Sequence, residues 1–192
     1  MISLPFETKP DFYLEHNRQG LGMQKFLLDY PFVVKRIIAW ALKKEQWVQK
    51  YGKPLSKKYL SVARFMGVQH PEKIRLVHCS EKEGIVDDPK IAALLEKFDL
   101  DIHRISALAL HHGIVMNASL KGNEKILAHE LRHVAQYEIC GSTEVFLLYY
   151  FLEVAHFGYG KGPFEIDAEM NAQIYMQRKK NAKKPNLSPP PN

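Results

Sequence analysis

Residues 126 to 136 read ILAHELRHVAQ. His129 and His133 are four positions apart, and on a helix such positions share one face, so both imidazoles can point at one metal ion. Glu130 sits one position round from His129. In zinc helices with this spacing the Glu does not bind the metal but takes a proton from metal-bound water. Zinc makes that step feasible near neutrality, because it lowers the pKa of bound water from about 15.7 to about 7. The motif supplies two ligands and a base, so a third protein ligand has to come from elsewhere.

A source lies one helix and a turn downstream, in PFEIDAEMNA, residues 163 to 172. Glu165 and Glu169 are four apart at the start of a predicted helix and share a face. Glu165 as third ligand completes a His₂Glu set with the fourth position left for water. Glu169, a turn later, is placed to accept the N–H of a metal-bound histidine, fixing its tautomer. The competing explanation is a solvated acidic face at a helix start, where the dipole favours acids anyway.

Together, AHELRHVAQ and FEIDAEMNA resemble the zincin metallopeptidases of the gluzincin type, in which His-Glu-x-x-His is completed by a Glu from a later helix. The resemblance implies a single Zn²⁺ held by His129, His133 and Glu165, with Glu130 as general base. It puts Glu169 in the place of a supporting acid that is often Asp. The stretch ALALHHGIVM is similar to the strand and turn before the active helix in zincin-like domains of bacterial origin. It covers residues 105 to 175, and the first hundred residues carry no resemblance. The longer metzincin pattern is absent, since no Gly and His follow His133 at its spacing. In zincins an edge strand beside the active helix pairs with an extended peptide; GIVMN, residues 113 to 117, is either that strand or a simple core strand.

Other residues carry weaker signals. Tyr159 and His156 lie in or beside the Gly-rich break before Glu165, where a group stabilising a developing oxyanion could sit. His111 and His112 flank a turn ahead of the active helix, within reach of a substrate, although turn histidines are common on surfaces. Arg132 faces away from the ligands and is expected to pair with a carboxylate. His78 beside Cys79 hints at a second metal site but lacks partners in sequence.

The elements that must position these groups follow from periodicity and punctuation. Asp29 and Pro31 mark a helix start. Val33, Val34, Ile37, Ile38, Ala41, Leu42 and Val48 then recur at helical spacing to about Tyr51. A shorter helix is expected over 56–66, a strand over 73–79, and a helix capped by Asp88 with Pro89 at its first position. ISALALHHGIVMNASL reads as two short strands meeting at His-His-Gly. Asn123 caps the helix of the His motif and Gly141 stops it. Ser142 or Thr143 caps the next, and Pro163 opens the last. The expectation is an α+β fold, a mostly helical zincin-like domain with a small β-sheet next to the His-Glu-x-x-His helix. One domain spans 1–177, with a helical part over 1–70 and a metal-binding core over 105–177. Residues 178–192 form a basic, Pro-rich flexible tail.

Composition bounds what such a domain does. With 46% hydrophobic and 25% charged residues in 192, the chain suits one packed domain rather than a disordered or fibrous one. The most apolar late stretch, VFLLYYFLEVAHF, contains Glu153 and His156 and is too short to span a bilayer. No basic leader and apolar run opens the sequence, and Cys79 and Cys140 do not make a disulfide framework, so a cytoplasmic location is expected. The net charge of +6 sits largely on predicted helix faces and in the tail. Weak attraction to nucleic acid follows from it, with no recognition motif to support more. The expected function is a zinc-dependent peptidase acting on a peptide or protein substrate. Its rivals are a non-catalytic protein keeping the zincin fold as a binding or structural unit, and a nucleic-acid-associated metalloprotease. The oligomeric state has no signature in the sequence.

Overall fold

The structure is a computed structural model that describes residues 10–80, 84–96, 100 and 102–182, with residues 10–29 and 104 described by backbone alone. Its elements run α1 (Pro10–Tyr51), β1 (Lys53–Pro54), α2 (Lys57–Phe65), β2 (Arg75–Cys79), α3 (Pro89–Glu96), β3 (Ala107–Leu110), β4 (Gly113–Asn117), α4 (Glu124–Cys140), α5 (Thr143–Phe157) and α6 (Pro163–Ala182), with three short 3₁₀ turns between them. The fold is α+β and mostly helical, with the small sheet packed against α4.

Two boundaries differ from expectation. The first helix does not start at Asp29 but runs from Pro10 through Pro31. Pro10 is the first-turn proline that suits a start, and Pro31 is exposed on the helix surface, so its loss is limited to one backbone hydrogen bond. The expected tail from 178 begins inside α6, which continues to Ala182; the rest of that tail, 183–192, lies outside the described residues.

The sheet order is β1-β2-β4-β3, with β2 parallel to β4 and the flanking pairs antiparallel. β4 is therefore interior, which explains why Ile114, Val115 and Met116 are buried on both faces. Of the two readings of 113–117, edge strand or core strand, this pairing selects the core strand: the edge on the α4 side is β3. Leu110 pairs with Gly113, so His111 and His112 are the two loop residues of the hairpin. His111 adopts a positive φ of 50°, a conformation that histidine tolerates better than most residues.

α4 lies at the centre of the molecule. Asn123 caps it by accepting from the Ile126 N–H (3.2 Å), and Gly141 ends it in the left-handed conformation at φ 80°. Leu131, Val134, Ala135 and Tyr137 are buried in one core with Val34, Ile37, Ala41 and Val48 of α1 and the interior of the sheet. α5 follows Ser142, whose side chain accepts from Val145 N–H (3.1 Å), and packs along α1. α6 returns along α4. Arg132 grips Asp167 with two nitrogens, Nε to Oδ2 at 2.6 Å and Nη2 to Oδ1 at 3.1 Å. That fork fixes the register of α6 on α4 and so decides what faces the histidines.

Candidate metal centre

His129 and His133 lie on one face of α4, and α6 brings Glu165 opposite them. Their facing atoms are close: His129 Nε2 to His133 Nε2 is 3.0 Å, His129 Nε2 to Glu165 Oε2 is 3.3 Å, and His133 Nε2 to Glu165 Oε1 is 3.5 Å. A tetrahedral ion with ligand distances of about 2.0–2.1 Å needs its ligand atoms about 3.3 Å apart. The triangle has that size without adjustment. His133 is buried, and His129 and Glu165 are half-buried.

The ring orientation of His133 is fixed by its neighbours. Gln136 donates from Nε2 to the Phe164 carbonyl (3.0 Å) and to Asp167 Oδ2 (2.7 Å), which turns its Oε1 towards His133. His133 Nδ1–H donates to that oxygen at 2.7 Å, leaving Nε2 with the lone pair facing Glu165. An imidazole nitrogen aimed at a carboxylate is satisfied by a proton or by a metal ion between them. Burial opposes charge on His133, but the Glu165 and Glu130 carboxylates outweigh burial and raise its pKa. Glu165 is likewise held well below the carboxylate range despite its burial, by His129, His133 and the Tyr150 hydroxyl, which donates to Oε1 at 2.8 Å. These donors fit a divalent first-row ion with imidazole and carboxylate preference.

Glu130 is 6% exposed and points to the sheet side of the same helix. Burial raises its carboxyl; the two histidines and the N–H of Ala109 on β3 pull it down without cancelling that rise. The strand register explains the contact. Asn117 N–H donates to Ser106 C=O at 2.9 Å, so by alternation residues 106, 108 and 110 bond to β4, while Ala107 and Ala109 turn their backbone groups to the free edge. Ala109 meets Glu130 through its N–H and the Tyr137 hydroxyl through its carbonyl, at 3.4 Å. Ala107 has no backbone partner among the described residues. A cleft of about 110 Å³ opens here, walled by β3, by Ile37, Trp40 and Ala41 of α1, and by Phe146, Tyr150 and Phe151 of α5; His129, Glu130, His133 and Glu165 line its floor.

The remaining candidates fall in different places. Tyr159 lines the cleft at 38% exposure. His156 does not: it is exposed, with its ring against Phe157. Glu169 approaches His129 Nδ1 only to 3.8 Å, beyond a hydrogen bond, and is bound instead by Lys125 (2.5 Å) and Gln173 (2.7 Å). The residue that orients a histidine in its stead is Gln136, on α4 itself. Arg132 pairs with Asp167, as its direction on the helix suggested. His78 is exposed, and Cys79 is buried near the Met116 carbonyl, 3.6 Å away.

Sequence reasoning passed over Gln136, Asp167 and Tyr150. Gln136 had a signal, since it lies three positions after His133 and so on its face. Tyr150 was hidden in an apolar run, where only the need of a buried tyrosine for a hydroxyl partner could have singled it out. No protein family matches the chain, and no curated protein or solved structure is similar to it.

Proposed function

We propose that this protein is a metal-dependent hydrolase, and more narrowly a zinc peptidase of the gluzincin kind. The observation that carries the reading is the triangle of His129, His133 and Glu165 atoms at zinc spacing, with a buried carboxylate beside it and the Ala107 end of a strand edge along the same cleft. A divalent ion held by those three residues would polarise a carbonyl and acidify water there. Glu130 removes a proton from the attacking water and delivers it to the leaving nitrogen as the C–N bond breaks. Its raised pKa suits a group that must both take and give a proton. Ala107 offers one N–H and one C=O to an extended peptide, which sets its carbonyl towards the histidines. Tyr159 also lines the cleft, and a turn of its hydroxyl towards the histidines would let it donate to a developing oxyanion; the Tyr150 hydroxyl is committed to Glu165.

The test separates metal binding from chemistry. Glu165→Ala is expected to lose zinc by elemental analysis of purified protein. Glu130→Gln is expected to keep about one zinc per chain yet hydrolyse a library of internally quenched peptides about 10²–10⁴-fold more slowly. Undiminished hydrolysis by Glu130→Gln would sink the peptidase reading, and zinc-free wild-type protein after loading would sink the metal site.

A further inference from the structure

A second group of ligand-type side chains lies at the other end of α4. Glu45 comes from α1, and His111 and His112 are the two loop residues of the β3–β4 hairpin; one ligand atom from each falls within 4.8 Å of the others. Tyr137, against the His111 ring at 5.9 Å and Phe146 at 3.8 Å, stands between this group and the first site.

The surroundings prepare His112 as a ligand. Its backbone is pinned, with the carbonyl accepting from Arg75 N–H and from Gln49 Nε2, both at 2.9 Å, and the N–H donating to Glu45 Oε1 at 3.3 Å. Its Nε2 lies 2.9 Å from Glu138 Oε1. Glu138 also accepts from the N–H groups of Gln69 (2.6 Å) and His70 (3.0 Å), so its carboxylate acts as an acceptor and His112 Nε2 must carry the proton. That leaves Nδ1 with a lone pair, and no donor among the described residues reaches it. No described side-chain N or O atom is both fully buried and without a partner, so Nδ1 is not fully enclosed although His112 as a whole is buried. A carboxylate behind one nitrogen and a free lone pair on the other is the arrangement that orients metal-binding histidines. His111 holds a backbone conformation with positive φ, alone among the described non-glycine residues. That turn lays its ring 4.1 Å from the ring of His112 and its Nδ1 3.3 Å from Glu45 Oε1.

We propose that Glu45, His111 and His112 form a second site for a divalent first-row metal ion, oriented by Glu138. Binding draws the three ligand atoms in from their present spread to about 3.3 Å, by rotation of the half-buried His111 and Glu45 side chains. The ion then ties α1 to the hairpin whose first strand borders Glu130. The site does not depend on the first one or on the peptidase reading.

Zinc stoichiometry tests it. After loading with Zn²⁺ and removal of excess, His129→Ala/His133→Ala protein is expected to retain one zinc per chain. Adding either His111→Asn, which keeps the left-handed turn, or Glu45→Gln is expected to bring that to none. If the double variant does not fold, the same loss is read in the otherwise unaltered chain as a fall by one zinc for His111→Asn and for Glu45→Gln. A chain that binds one zinc and loses it with His111→Asn but not with Glu165→Ala would support the second site while defeating the first. A chain whose zinc content is unchanged by both His111→Asn and Glu45→Gln overturns the proposal.

Discussion

Gln136 decides which nitrogen of His133 is free. Because its amide donates to Asp167 and to the Phe164 carbonyl, its oxygen is committed to His133, and Arg132 and Asn171 complete the set of donors on Asp167. Gln136→Leu keeps the size and removes all three bonds. Zinc affinity, measured by competition with a chromogenic chelator, is expected to fall about 10–100-fold while helix content by circular dichroism is unchanged. His129, Glu130, His133 and Glu165 were legible in the sequence as a group because helical spacing alone puts the first three on α4 and makes Glu165 reachable. Glu169 shares the expected face, with Oε2 3.8 Å from His129 Nδ1, but its other oxygen is held by Lys125 and Gln173, a tertiary contact that spacing does not encode.

At the scale of elements, punctuation was read more successfully than continuity. Asn123, Gly141, Ser142 and Pro163 act where their chemistry says they should, since caps and stops are local. Pro31 acts against its local chemistry, because burial of Val33, Val34 and Ile37 on the same helix holds the segment in line. The role of GIVMN stayed open between edge and core because strand order is a long-range property: an apolar run reads alike whether it lies at an edge or inside. The turn between α5 and α6 has a close contact that positions Glu165. Glu153 Oε2 accepts from Phe164 N–H at 2.9 Å, and a Cβ on Gly162 would lie 2.7 Å from that oxygen. Gly162→Ala is therefore expected to displace Glu153, uncap α6 and destabilise the protein by about 1 kcal/mol. A thermal melt should show it as a fall of about 2–4 °C in Tm.

Across the whole molecule, several lysines and one arginine tie helices and loops together through carboxylates. Glu124, buried in the first turn of α4, is bound by Lys58 of α2 and Lys179 of α6, with the Tyr175 hydroxyl at 3.2 Å. Lys179 and then Lys58 hold its carboxyl down to about 2, against an ordinary value of 4.5. A folded-state pKa below the unfolded one gives stability that is complete above about 4.5 and is lost as pH falls towards 2. Glu124→Gln is expected to lower unfolding stability by about 2 kcal/mol at pH 7. Its deficit relative to wild type should shrink steadily in urea melts between pH 4.5 and pH 2; a deficit independent of pH would show that the ion pairs contribute nothing. Lys44 with Asp87, Lys125 with Glu169 and Arg132 with Asp167 are engaged in the same way. Among the described residues, no helix is long and apolar enough to cross a membrane.

The sheet has two outer strands, and they are finished differently. β1 is two residues long, and its exposed Lys53 and Pro54 give a neighbouring chain a charge to desolvate and a missing donor. Lysine and proline at such a position discourage edge-to-edge stacking of one folded molecule on another. β3 carries neither; it offers alanine, the smallest side chain that still keeps a strand, beside the cleft. One sheet thus guards its outer rim against aggregation with lysine and proline and closes much of its inner rim from within, where Glu130 and the Tyr137 hydroxyl take up the backbone groups of Ala109.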